Sequence, residues 1–290
     1  MRRTYRPEAY ETERSTLMPM LKSSEDRSAV KRVPGLTKVP EITALFWILK
    51  LLTTAMGESA SDFLLNANPI VGLSIGVIGI VVTLWLQFRT PRYHPVAYWA
   101  AVAMVAVVGT MVADVLKVGL GVPLVALTVT CAAVLAVTFA IWYLTEGTLS
   151  IHGITSRRRE TFYWLTVSST FALGTAAGDL TADTLGLGYH GSIVLFAIIM
   201  AVPILGSYGF RLNGVVAFWF AYVVTRPLGA SIADWLAKPA KAGGVGLGDG
   251  PVAMVLLLMI VVPLTVVAVR HRDPDSPEQR AGEHADRIGA

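Results

Sequence analysis

Apolar stretches long enough to cross a bilayer alternate along this chain with short polar breaks, and four of the stretches carry one polar pattern without slippage. Taking ~17–25 mainly apolar residues as one span, the alternation predicts helices at 41–65, 69–88, 95–116, 122–144, 161–182, 190–209, 215–238 and 251–270. The fold class expected is therefore all-α integral membrane, with eight transmembrane helices. In each odd-numbered helix a Trp is followed by Gly ten positions on and Asp fifteen positions on. The sets are Trp47, Gly57, Asp62; Trp99, Gly109, Asp114; Trp164, Gly174, Asp179; and Trp219, Gly229, Asp234. An aromatic residue precedes every one of these tryptophans: Phe46, Tyr98, Tyr163 and Phe218.

Aligned on these sets, the chain divides into four two-helix repeats at 41–88, 95–144, 161–209 and 215–270, within a transmembrane domain spanning 39–270. Two spans per repeat make the odd helices run in one direction, a parallel repeat related by axes along the membrane normal. Such a repeat closes as a pseudo-fourfold ring or as two pairs. Residues 1–38 and 271–290 are polar and charged and are expected to be flexible cytoplasmic tails, with no site at His271 or His284.

A carboxylate in an apolar span is costly, which makes the four aspartates the first candidates for function. At 1.5 Å per residue each Asp lies about 22 Å along the helix from its Trp, so with Trp at the cytoplasmic interface the Asp ring falls toward the outer end of a ~30 Å hydrocarbon layer. Counting 100° per residue from Trp, Asp falls at about 60°, the residue after Gly at about 20° and the position seven after Trp at about 340°. These places form one stripe. It holds Thr54, Glu58 and Asp62 in the first helix, with Lys50 at its edge; Thr110 and Asp114 in the third; Ser168, Thr175 and Asp179 in the fifth; and Arg226 and Asp234 in the seventh. Five acids against two bases leave an interior with excess negative charge, which favours cations. Glu58 is expected to pair with Lys50 or Arg226, because a buried charge needs a partner. Pro227 is expected to break the helix ladder beside Arg226 and re-aim it.

The tryptophans read as interface anchors and the four glycines as close helix-packing contacts. Oxygen ligands of the aspartate type suit hard divalent cations or a proton relay, so Asp62, Asp114, Asp179 and Asp234 are also metal candidates, with His190 as a possible nitrogen ligand. Gly-Leu-Gly at 119–121, 186–188 and 246–248 reads as a tight turn, or as a backbone-lined vestibule beside the carboxylates.

Composition agrees with a membrane protein: 54% hydrophobic and 15% charged residues, against roughly 25% charged in soluble domains, with mean hydropathy +0.59. Arg89, Arg92, Arg157 to Arg159, Arg211 and the four arginines from Arg270 onward follow the positive-inside rule, with both termini cytoplasmic. The opposite loops hold Lys117, Lys238 and Lys241, and no uninterrupted basic face suggests nucleic acid. The lipid bilayer and a small inorganic cation are the expected partners. The polar first 40 residues lack the apolar core of a signal peptide. Cys131, the single cysteine, is expected only to pack.

No nucleotide loop, zinc motif or nucleophile elbow is present. Gly246-Leu247-Gly248-Asp249 has the Gly-x-Gly-Asp form of intramembrane aspartyl proteases, but no Tyr-Asp dipeptide supplies a partner. Catalysis and a resident cofactor are not expected. The strings Lys38-Val39-Pro40-Glu41 with Thr53 to Glu58, Phe171 to Thr181, and Thr225 to Ser231 resemble a family of bacterial inner-membrane proteins carried in genomes as membrane-anchored proteins of unknown function. That resemblance covers residues 38–270 and implies an inner-membrane location, without an activity. From the residues, a cation transporter or channel built on the Asp ring is expected, divalent-metal or proton-coupled. The alternative is a scaffold or sensor in which the carboxylates only hold the bundle together.

Overall fold

The computed structural model describes residues 37–209 and 213–270, and all its regular structure is helical. Eight long helices follow in order: α1 (Ala44–Ala67), α2 (Pro69–Arg89), α3 (Pro95–Asp114), α4 (Leu124–Glu146), α5 (Arg157–Asp179), α6 (Gly188–Gly209), α7 (Gly214–Ala237) and α8 (Asp249–Arg270). Five of them are long and apolar enough to cross a membrane: α2, α3 with its C-terminal extension, α4, α7 and α8. The chain calls for these ends locally. Asn68 closes α1 and caps α2, its Oδ1 accepting from the amides of Ile70 and Val71 at 3.1 Å, with Pro69 in the first-turn position where no amide is needed. Ser156 caps α5. That helix starts four residues earlier than hydropathy indicates, because its first turn is the charged run Arg157 to Glu160.

Directly after Asp114 and Asp179, α3 and α5 widen into π-helical turns, Val115–Gly119 and Leu180–Thr184. The Gly-Leu-Gly segments are tight turns, with Gly121, Gly188 and Gly248 at φ between +64° and +84°, a region glycine enters without strain. α7 runs unbroken through Pro227, contrary to the expected break; the ring costs one rung of the ladder and no more.

The odd helices make the inside of the molecule. α1 packs on α3, α3 on α5, α5 on α7, and α7 back on α1. The even helices lie outside, each against the odd helix of the following repeat: α2 on α3, α4 on α5, α6 on α7, and α8 on α1. Burial divides accordingly. In α3 and α7 61% of the apolar window is buried, against 11% in α2 and α4 and 17% in α8. The outer surfaces carry Ile70, Val77, Ile78, Val129, Val137, Met254 and Leu258, an apolar coat compatible with a multi-pass membrane protein.

Two rings of contact close through all four repeats. The aromatic before each Trp meets the Trp of the next repeat: Phe46 on Trp99 at 5.7 Å, Tyr98 on Trp164 at 5.7 Å, Tyr163 on Trp219 at 6.1 Å and Phe218 on Trp47 at 5.8 Å between ring centroids. Each motif glycine faces the residue seven after the Trp of the next repeat: Gly57 on Ala106, Gly109 on Phe171, Gly174 on Arg226 and Gly229 on Thr54. A Cβ at Gly109 or Gly229 would stand 2.5 Å from that neighbour's side chain, so close helix approach requires the glycine. Trp99, Trp164 and Trp219 are buried. Trp47 is half-buried, and each of the four tryptophans packs against the aromatic residue of the preceding repeat.

Lys38 and Val39, just before α1, are also buried. Lys38 Nζ bonds Glu160 Oε2 at 2.6 Å, and Gln87 Nε2 donates to the other oxygen at 3.2 Å. Lys38 therefore belongs to the packed body and not to the expected tail. The rest of the tail assignments, with His271, His284 and Arg211, lie outside the described residues.

Candidate functional site

Because the repeats share one register, the inward stripe stacks into layers four residues apart, each about 6 Å above the last. The lowest is Phe46, Tyr98, Tyr163 and Phe218; above it come Lys50, Val102, Val167 and Tyr222; then Thr54, Ala106, Phe171 and Arg226; then Glu58, Thr110, Thr175 and Ala230. All sixteen are buried. The fifth layer is the Asp ring. Here the stack opens onto a cavity of about 470 Å³ lined by Glu58 from the layer below, by Asp62, Asp114, Asp179, Asp183 and Asp234, by Lys117 and Lys238, and by apolar residues including Leu65, Leu73 and Val118.

Arg226 plugs the floor of this vestibule. Its side chain rises from the third layer into the fourth, where the fourth repeat offers only Ala230 and so leaves it room. Nη2 donates to Glu58 Oε2 at 2.9 Å and to Thr175 Oγ1 at 2.8 Å, and it also bonds Thr110 Oγ1. Nη1 donates to the Thr54 carbonyl at 2.9 Å and Nε to the Phe171 carbonyl at 3.2 Å. One guanidinium thus ties its own helix to the other three odd helices, and Thr110 and Thr175 donate to the same Glu58 oxygen at 3.0 and 3.1 Å. This fan of donors is what lets a buried pair hold together.

Of the two partners expected for Glu58, the structure selects Arg226. Lys50 sits one layer lower with no carboxylate in reach among the described residues. Its ammonium lies 4.1 Å from the Phe171 ring centroid and 4.2 Å from that of Tyr222, and 3.4 Å from Thr54 Oγ1. The Arg226 guanidinium carbon is 4.8 Å from the same Phe171 ring.

The Asp ring is not left to itself. Lys117 bonds Asp179 Oδ2 at 2.8 Å and Asp183 Oδ2 at 3.1 Å; Lys238 bonds Asp62, and Asp249 Oδ1 at 3.2 Å. Sequence reasoning assigned both lysines to loops as orientation signals, and did not single out Asp183 as part of the site. The signal was there: each Lys follows the Asp of its own repeat by one helical turn, the spacing that puts two residues on one face. Each then reaches to the Asp of the next repeat.

The metal-ligand expectation fares differently. Among the described residues no group of three or more His, Cys, Asp or Glu is arranged to hold a metal ion. The carboxylates line the vestibule together with Lys117 and Lys238, which pair with Asp179 and Asp183 and with Asp62 and Asp249. His190, the expected nitrogen ligand, does not line the cavity; its ring meets Trp235 edge-on at 6.1 Å. Asp249, the aspartate of the protease-like string, is bound to Lys238 at the start of α8.

A helical body with apolar outer helices, built from four like units around a polar axis, is a repeat-built membrane-protein class of structure. The chain belongs to the family described as Repeat of Unknown Function (DUF347), whose model matches four times, at residues 45–93, 97–148, 162–212 and 217–273. Those matches follow the four Trp–Gly–Asp units. No curated protein and no solved structure matches the chain.

Proposed function

We propose that this chain is a carrier of cations, with eight helices crossing the bilayer as four parallel two-helix repeats and the vestibule receiving its cargo from one side. One arrangement carries the reading: an acid-rich vestibule that ends on four layers of buried side chains. A continuously open channel has no such floor, whereas a carrier at rest with one side open requires it. The parallel sense is supported by the meeting of all N-terminal aromatics in one ring and all four aspartates around one cavity. Although α1 and α5 are more polar than typical spans, they pack within the inner ring, where other helices shield their polar residues from lipid. A bacterial inner-membrane location with cytoplasmic termini completes the proposal, on the strength of the basic loop residues.

The rival is a non-transporting scaffold. It draws on a specific observation, since Lys117–Asp179 and Lys238–Asp62 join different repeats and would brace the ring with no cargo at all. Flux into proteoliposomes holding the purified chain separates the two. The assay takes potassium, magnesium, manganese and alkylammonium ions in turn, with and without a pH gradient. The carrier reading expects saturable uptake of at least one of these, reduced at least tenfold by Asp114→Asn and spared by Glu41→Gln, an exposed carboxylate before α1 and outside the vestibule. A folded protein that moves none of them leaves the scaffold standing.

A further inference from the structure

The four aspartates divide into two kinds. Lys117 of the second repeat takes Asp179 of the third, and Lys238 of the fourth takes Asp62 of the first. This pattern is twofold within a fourfold ring, and it leaves over the aspartates of the lysine-bearing repeats themselves, Asp114 and Asp234, at opposite corners. Asp114 Oδ2 is shut off from solvent with no hydrogen-bond partner, in the wall of the vestibule. Asp234 is 7% exposed, and the Lys238 ammonium stands 3.9 Å from its carboxylate, beyond hydrogen-bond reach. A buried carboxylate without a donor is costly, and a cationic ligand that donates hydrogen bonds would relieve it.

The space narrows the kind of ligand. A bare metal ion needs several oxygens drawn together, which the described residues do not provide. The cavity, about 470 Å³, falls in the range of small-molecule sites and is partly walled by Leu65, Leu73 and Val118. Carboxylates that accept no hydrogen bond, beside an apolar wall, match a ligand with a charged head and a carbon chain. A zwitterion fits less well, because both lysines are already taken by carboxylates.

We infer that the vestibule binds small aliphatic ammonium ions, with Asp114 and Asp234 each offering a carboxylate to an ammonium group and Leu65, Leu73 and Val118 covering the chain. This rests on the cation-carrier reading and names its cargo.

Calorimetric titration of the purified full chain in detergent tests it, with methylammonium, butylammonium, neutral 1-butanol, magnesium and manganese as probes. Saturable binding of butylammonium is expected, tightening by about fourfold per added methylene from methyl to butyl, with none for 1-butanol. Asp114→Asn and Asp234→Asn each weaken butylammonium at least tenfold, and Glu41→Gln, at an exposed carboxylate before α1 and outside the vestibule, leaves it within twofold. Should an Asp variant fail to fold, Leu73→Ala serves: it weakens butylammonium and leaves methylammonium unchanged. Binding of a divalent metal but no ammonium overturns this inference and spares the carrier reading. Ammonium binding without flux in proteoliposomes upholds the site and defeats carriage. No binding of any probe overturns the inference outright.

Discussion

Arg226 and Lys50 are both sealed from solvent one layer apart, yet their surroundings give them opposite worth. Arg226 has a carboxylate, two hydroxyls and two carbonyls. Replacing it with Met strands Glu58 with no cation, and breaking a buried pair from one side costs about 3–5 kcal/mol. Lys50 has only ring faces and one threonine hydroxyl, so Lys50→Met removes an uncompensated charge while keeping most of the packing volume. Thermal unfolding in detergent should therefore show a large loss for Arg226→Met, substantial recovery when Glu58→Gln is added, and no loss for Lys50→Met. A drop for Lys50→Met as deep as that for Arg226→Met would mean that Lys50 has an anionic partner after all. The identity of the Arg226 pair was half legible in the sequence: the stripe put Glu58, Lys50 and Arg226 on one axis. What it could not give was the layer. Arg226 starts one turn below Glu58 and reaches up because Ala230 leaves it room, and that fact depends on the register of four helices at once.

At the scale of helices, the contact that sets the ring's diameter is each motif glycine against the neighbouring chain. Gly109→Val would drive branched carbons into Phe171, and overpacking of this kind costs typically about 1–3 kcal/mol. Gly214→Ala is the matched control, since nothing lies within 4 Å of an added Cβ there. A lower melting temperature for Gly109→Val alone is expected; equal melting temperatures would show that the helices can separate without penalty. The glycines were readable as packing contacts because the spacing is copied four times, and helix existence was readable because hydropathy reports it. Neighbour choice was not. That α2 leans on α3, and α8 on α1, is decided by which grooves the ring leaves open, and no local pattern carries it. The partners of the tryptophans were hidden for a related reason: only closure of the ring brings each Trp onto the aromatic residue held by the adjacent repeat.

For the molecule as a whole, fourfold backbone register coexists with side chains that break it layer by layer. The aromatic layer is nearly uniform; the layers above it hold Lys50 against Tyr222, Phe171 against Arg226, and Glu58 against Ala230. Like repeats make closure of the ring cheap to specify, and unlike fillings give the axis a floor with two fixed cations beneath an acidic mouth. Those cations oppose passage of a cation at rest, so carriage demands that the layers separate. The second layer reports such a movement, because Val102 has no exposed surface. With Cys131 replaced by Ser, Val102→Cys should resist a membrane-impermeant thiol reagent from both sides in resting proteoliposomes, whereas Val118→Cys at the exposed rim should react from one side. Adding the transported cation should make Val102→Cys reactive, at a rate that follows the cation concentration and disappears with Asp114→Asn. If Val102→Cys stays protected while cargo is moving, the path does not run along the axis of the ring, and the layered stack is then only the core that holds four repeats together.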